Sequence, residues 1–430
     1  MRTKKTYHIL NAEILKQQLL LWSQKFNSVV WLDSNMNKQH ELQYDAILAV
    51  DEFRSIKASY DCAFEKLQEF QLLTNDWIFG YLSYDIKNAI EPLKSENFDG
   101  LGFPDLYFFQ PKKIFFLKGN ELEVYYLQYL DDQINSDIIT IQNLNLKQDL
   151  IRLNKIKIQQ RINKKDYLKK INNILTYIQR GDIYEANFCQ EFYAERTTIN
   201  PLETFKELNS ISRTPFATFF KLSEFFLISA SPERYIKKSG DTLISQPIKG
   251  TAKRSKQIKE DQLLLKKLEK DQKERSENIM IVDLVRNDLS KTAIKGSVKI
   301  KELCKVYTFE QVHQMISTIQ SNVDKALPSL EIIKTTFPMG SMTGAPKISA
   351  MKIIESLEET KRGIYSGCAG YFSPDGDFDF NVIIRSILYN AENEYVSFSV
   401  GSAITAKSNP LKEYQECMIK AEAMKHVLEN

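Results

Sequence analysis

The sequence predicts an α+β fold in which large antiparallel β-sheets are flanked by helices. Two observations carry that prediction. Strand-like segments come as neighbouring hairpins, one turning near Gly119-Asn120 and one at Ser239-Gly240-Asp241, with residues suited to tight turns. Helical patterns form separate blocks between the hairpins, without the strict βα alternation of a doubly wound sheet.

Taken in order, DLYFFQPKKIFFLKGNELEVYYLQY (105–129) reads as two strands. Residues 131–162 are polar and lack aromatics, so they mark a seam between an N-terminal region (1–150) and a C-terminal region (163–430). Asn163 is placed to cap a helix carrying Tyr167, Leu168, Ile171, Ile174, Leu175 and Ile178 at helical spacing, closed by Gly181. Across 215–249, FATFFKL, FFLIS, RYIKK and TLISQPI alternate with turns as strands. One long helical stretch is expected from about Lys259 to Asp288, and a further helix opens at Pro346 and ends before Gly363. Strands return at GIYSGCAGYFS, DFDFNVIIRSILYN and EYVSFSVGSAIT, and a last helix covers Leu411 to Val427.

Composition narrows the function. The chain has 430 residues, is 43% hydrophobic and carries a net charge of +3. That charge gives no electrostatic case for binding nucleic acid or an anionic membrane. No apolar run approaches a membrane span, and the N-terminus has Asn, Glu and Lys where a signal peptide needs an apolar core. Five scattered cysteines without a CxxC pair argue against a disulfide framework or zinc site and for a reducing compartment. A cytoplasmic location is therefore expected.

Several residues stand in places their chemistry makes costly. Lys249 lies in SQPIKGTAKR (245–254), behind an apolar pair and ahead of Gly-Thr. A lysine in a partly buried pocket can lose its proton and act as a nucleophile, or it can extend to solvent. Glu274 with Glu277, and Glu413 with Glu416, each share a helix face by i,i+3 spacing. Two such helices face to face would offer four carboxylates to a hard cation such as magnesium; solvated helix faces are the alternative. Asp283 and Arg286, within an apolar run, are expected to form an internal salt bridge. TFPMGSMTGAPKISAM (336–351) ends in a helix start suited to an anion or in a simple turn, and is no Walker loop. Arg385 in the apolar FNVIIRSIL needs an anion, from the protein or from a ligand. SVGSA (399–403) ends a strand with small residues that let a ligand approach backbone.

In combination, SPER (231–234), QPIKGT (246–251), the 271–290 segment, FPMGSMTGAPK (337–347), RGIYSGCAGYF (362–372), VIIRS (382–386) and the ending around EYQEC (413–417) resemble the chorismate-utilising enzymes. That family includes the large subunits of anthranilate synthase and aminodeoxychorismate synthase, and the isochorismate and salicylate synthases. The likeness is dense over about 165–425, with WLDS (31–34), YDAILA (44–49) and GYLSYD (80–85) as looser marks upstream. It implies the anthranilate synthase component I-like fold. PIKGT resembles the aminodeoxychorismate synthase branch, where anthranilate synthases resemble PIAGT.

That resemblance implies a covalent Lys249, which attacks the chorismate ring at C2 as the C4 hydroxyl leaves and is then expelled by ammonia. It implies Glu233 as the acid, with Glu274 close to the chemistry. Glu277 and Glu416 are implied as direct Mg2+ ligands, with Glu274 and Glu413 nearby. Thr251, Ser341, Tyr365, Arg385 and the backbone of Gly401, Ser402 and Ala403 are implied as substrate contacts. A tryptophan effector site is implied at Ser34, Tyr44, Pro215, Phe216 and Ala217. Three positions depart from the family pattern: Gln314 where anthranilate synthases have a catalytic histidine, beside His313; Ala403 for a second glycine; and Asn278 for a common histidine.

None of the five cysteine contexts forms the GxCxG elbow of a class I glutaminase. Ammonia is therefore expected from a separate glutaminase subunit in a heterodimer, and no PLP-dependent lyase is expected from this chain. The competing readings are an anthranilate synthase component I, and a non-catalytic regulator that binds chorismate or tryptophan.

Overall fold

The computed structural model describes residues 1–37, 42–146 and 156–430. Its strands join one sheet in which every strand pairing is antiparallel. Two long strands, Ala46–Ala58 and Leu106–Lys118, pair along their length and hold two wings together. The first wing runs through Ser28–Asp33, Phe216–Leu222, Phe225–Ser231, Ser386–Asn390 and Tyr395–Thr405 to Glu185–Ala194. The second runs through Ile78–Leu82, Cys368–Phe372, Phe378–Val382, Arg234–Ser239 and Thr242–Gln246 to Val312–Asn322. That last strand also carries Ile248–Lys253 and Lys299–Thr308. Strands from both sides of the expected seam therefore alternate within one sheet.

The alternation of side chains along each strand builds two cores. Val30 enters one, while Val29 and Trp31 enter the other; Phe116 and its neighbours Phe115 and Leu117 divide the same way. The second core is closed by helices Ala12–Ser23, Gln133–Gln142, Lys164–Gln179, Pro201–Ser212 and Pro410–Glu429, which contribute Leu19, Ile138, Ile171, Phe205 and Met424. Burying each such side chain contributes roughly 1.5–3 kcal/mol before entropy is counted.

Four elements differ from expectation. The seam contains the helix Gln133–Gln142, whose Ile134, Ile138 and Ile141 are buried at i, i+4 and i+7; residues 147–155 of that seam lie outside the described residues. The long helix is two, Ile258–Lys270 and Gln272–Ser290, because Asp271 is extended and caps the second through Lys273 N and Glu274 N. The strand through 378–390 breaks at Arg385, whose φ is 53°. Asp283 and Arg286 do pair, at 2.9 Å, but both are exposed. The buried pairing on that helix is Asp288 with Lys347, at 2.5 Å.

Candidate active site

The two wings meet where Lys249 from the second reaches Glu185 from the first. The register of Ile248–Lys253 against Val312–Asn322 shifts between Ile248 and Thr251. This bulge re-aims Lys249 off the ladder, as bulges beside functional sites do. Gly250 follows with φ at 86°, and a Cβ there would lie 3.1 Å from Glu274 Cβ. Glycine thus serves both the left-handed backbone and close packing on the carboxylate helix.

Lys249 Nζ donates to Glu185 Oε1 at 3.1 Å. Its side chain is 12% exposed and that of Glu185 1%. The expected uncharged amine is not what this arrangement holds. Burial pushes Lys249 toward losing its proton, but Glu185 and Glu277, with help from Glu233, outweigh it and raise its pKa above the ordinary value. Lys249 is shielded, and its carboxylate neighbours favour the ammonium form.

Glu233 is buried in the turn between Phe225–Ser231 and Arg234–Ser239. Ser231 Oγ donates to Val382 O and accepts from Glu233 N, while Arg234 clamps Asp379 through two bonds of 2.9 and 3.0 Å. Burial pushes the Glu233 carboxyl up to about 7, against the opposing pull of Ser341 and Lys249. The Ser341 hydroxyl is buried without a full hydrogen bond among the described residues. Its loop is held by Asn187, which donates to Ser341 O, and by Arg362, which donates to Met342 O and Asn187 O.

The paired carboxylates lie on Gln272–Ser290 and Pro410–Glu429. Lys273 reaches between the two helices, 3.6 Å from Glu277 and 4.0 Å from Glu413, and Lys420 binds Glu416 at 2.7 Å. Burial pushes Glu277 up to about 7 and also raises Glu274, whereas the Lys420 and Lys273 charges hold Glu416 low against its burial. Among the described residues no group of three or more His, Cys, Asp or Glu converges closely enough to hold a metal as it stands. The donor set still suits a hard cation: every candidate ligand is a carboxylate, and Glu277 Oε1 is buried without a hydrogen-bond partner among the described residues.

Around this centre stand the other expected contacts. The Arg385 guanidinium makes no hydrogen bond or ion pair to the described residues, and burial lowers its pKa, so it remains free for an anion. Tyr365 and Ser402 are buried, and Thr251 is exposed on the rim. Gly401 faces Cys189, and Ala403 faces Asn187. A Cβ on Gly401 would come within 2.7 Å of both Asn187 Oδ1 and Cys189 Sγ. Asn278 is fully buried and binds Met315 O and Ser317, so it ties the carboxylate helix to the second wing. His313 engages Thr308 and Asp261 at 3.0 Å each, and its strand neighbour Gln314 points to the other face.

The family model for chorismate binding enzymes matches residues 17–426. The chain belongs to that family. The aminodeoxychorismate synthase component 1 of Bacillus subtilis is 30% identical over 361 residues, 81% of this chain and 76% of that protein. The anthranilate synthase component 1 of Thermus thermophilus is 31% identical over 360 residues, covering 82% and 77%. A crystal structure of anthranilate synthase component I from Streptococcus pneumoniae superposes with a TM-score of 0.78 at 25% identity, covering 91% of this chain and 95% of that one.

Within this chorismate-binding enzyme, the five residues expected at an effector site line one cavity. Ser34, Tyr44, Pro215, Phe216 and Ala217 surround it with Asp33, Tyr371 and Asp379. Asp33 is buried against Lys16 at 2.9 Å, and the Ser34 hydroxyl has no partner among the described residues. Sequence reasoning missed Glu185, Lys273, Lys420, Asn187 and Arg362. The signal for Glu185 was the one used for Arg385, a charge inside an apolar strand, here IYEANFC. Arg362 and Asn187 act through backbone oxygens far along the chain, which no local pattern reveals.

All five cysteines are free thiols. Among the described residues no helix is long and apolar enough to cross a membrane.

Proposed function

We propose that this chain is an aminodeoxychorismate synthase component I, which converts chorismate and ammonia to 4-amino-4-deoxychorismate on the way to p-aminobenzoate and folate. The observation that supports it most is Lys249, aimed by a bulge into a shielded site beside a carboxyl that burial pushes up to about 7. Lys249 is the nucleophile at ring C2. Glu233 gives its proton to the departing C4 hydroxyl, which leaves as water; a buried acid with a pKa near the working pH suits that task. Ammonia then adds at C4 and expels the lysine. Two moderate steps replace one displacement of a poor leaving group.

Arg385 is the proposed partner for a substrate carboxylate, with Ser341, Tyr365, Thr251 and the Gly401–Ala403 backbone (401–403) around the ring. Glu277 and Glu416 would hold Mg2+, supported by Glu274 and Glu413, with Lys273 and Lys420 yielding their places. Such an ion supplies Lewis-acid charge at the carboxylate end of the substrate. A separate glutaminase subunit supplies ammonia. The cytoplasm is the proposed location, and tryptophan is the proposed occupant of the effector cavity, testable by equilibrium dialysis.

A second reading also has support from sequence identity: the Thermus thermophilus relative named anthranilate synthase matches as closely as the Bacillus subtilis relative named aminodeoxychorismate synthase. Incubation with chorismate, magnesium and an ammonium salt separates the two. The proposed activity yields p-aminobenzoate only after a lyase is added. Direct appearance of anthranilate refutes it, and no consumption of chorismate leaves a non-catalytic binder.

A further inference from the structure

We infer that Glu185 is the base that takes the proton from Lys249. This deepens the proposed function and rests on Lys249 being its nucleophile. Three features distinguish Glu185 from a passive anchor. Its Oε1 lies 3.1 Å from Lys249 Nζ, within reach of direct proton transfer. Its Oε2 is buried without a hydrogen-bond partner among the described residues. Contrast Glu358, a structural carboxylate in the same wing junction: its two oxygens take the Arg362 guanidinium and the Cys189 N–H. Glu185 is left with an open acceptor oxygen among the described residues where Glu358 is saturated. Finally, its backbone pairs with Ala345 on one side and Thr405 on the other, so the carboxylate projects from a rigid element.

The charged groups facing Lys249 are Glu185 from the first wing, Glu277 from the carboxylate helix and Glu233 from its turn, with Glu274 and Glu416 further off. These favour Lys249 as an ammonium, and Glu185, in direct hydrogen bond with it, is placed to take the proton that frees its lone pair.

The proton ledger closes. Lys249 N–H passes its proton to Glu185, leaving a neutral amine and a neutral carboxyl. The amine forms its bond to C2 as the ring double bond shifts and the C4–O bond breaks. The leaving hydroxide takes the Glu233 proton and departs as water. Ammonia bonds to C4, the double bond shifts back, and Lys249 leaves with its electron pair and recovers its proton from Glu185. The new C4 ammonium returns a proton to Glu233. The sum is chorismate plus ammonia giving aminodeoxychorismate plus water.

The test is the pH dependence of Glu185→Gln, which keeps the shape and an acceptor but cannot take a proton. Ammonia-dependent turnover should fall about 10²–10⁴-fold at neutral pH. The residual rate should climb about tenfold per pH unit as solvent hydroxide substitutes, while the wild type shows no such climb. Glu185→Asp should recover part of the rate and the wild-type profile. Acetic anhydride labelling of the 245–254 peptide, without substrate or metal, gives a second readout. Lys249 should react at lower pH in Glu185→Gln than in the wild type, because burial is then less opposed. A Glu185→Gln enzyme with the wild-type profile and a loss below tenfold overturns the base role. Full activity in Lys249→Ala would instead remove the nucleophile reading itself, so the two failures are distinguishable.

Discussion

Replacing Glu233 with glutamine should stabilise the protein at high pH and do little at low pH. The carboxyl has an ordinary value of 4.5 and is raised to about 7 by burial. Below 4.5 it is protonated in both folded and unfolded chains and has no effect on stability. Between 4.5 and about 7 the unfolded chain releases the proton while the folded chain keeps it, so stability falls as pH rises. At 1.36 kcal/mol per pH unit, the full loss is roughly 3 kcal/mol above pH 7. Glutamine removes that loss while retaining the shape. Urea unfolding of the metal-free protein at pH 5 and pH 8 measures it. The variant should gain about 2–3 kcal/mol more at pH 8 than at pH 5. An equal effect at both pH values would refute the argument that burial keeps Glu233 protonated. The same substitution should abolish turnover at every pH, because the amide has no proton to give.

Other substitutions probe the frame of the site. Gly401→Ala places a methyl 2.7 Å from two buried atoms and should cost about 1–3 kcal/mol in thermal unfolding. Gly250→Ala forces a side chain into the left-handed region at φ 86° beside Glu274; it should cost about 1–2 kcal/mol, and it should lower turnover more than stability. Asp271→Ala removes the cap of the helix carrying Glu274 and Glu277, for about 1 kcal/mol in urea unfolding. Arg385→Gln leaves the fold intact, since the guanidinium has no partner among the described residues. It should weaken chorismate binding by about 10–100-fold, the worth of a charge-assisted hydrogen bond.

Much of the fold was legible because strand alternation and hairpin turns are local signals. Phe115, Phe116 and Leu117 display in three letters the two-sided burial that defines the sheet. The misreadings have equally specific causes. Ile134, Ile138 and Ile141 sit among so many polar residues that their helical spacing was hidden. Asp271 resembled one more surface acid, yet its extended backbone ends one helix and its side chain caps the next. At the site, Arg385 was legible because an unpaired guanidinium in an apolar run demands an anion. The charge state of Lys249 was not, because it depends on Glu185, 64 residues earlier and brought in by the meeting of two sheet wings. The magnesium reading shares that limit: spacing put each Glu pair on one helix face, but only the structure shows Lys273 reaching between them.

The most direct test of the central claim is mass spectrometry of the protein mixed with chorismate and magnesium but no ammonia. The account predicts an adduct on the 245–254 peptide with the mass of chorismate less one water, lost when ammonium is added and absent in Lys249→Ala. Chorismate amination that proceeds at full rate in Lys249→Ala, with no adduct at any time, would contradict it.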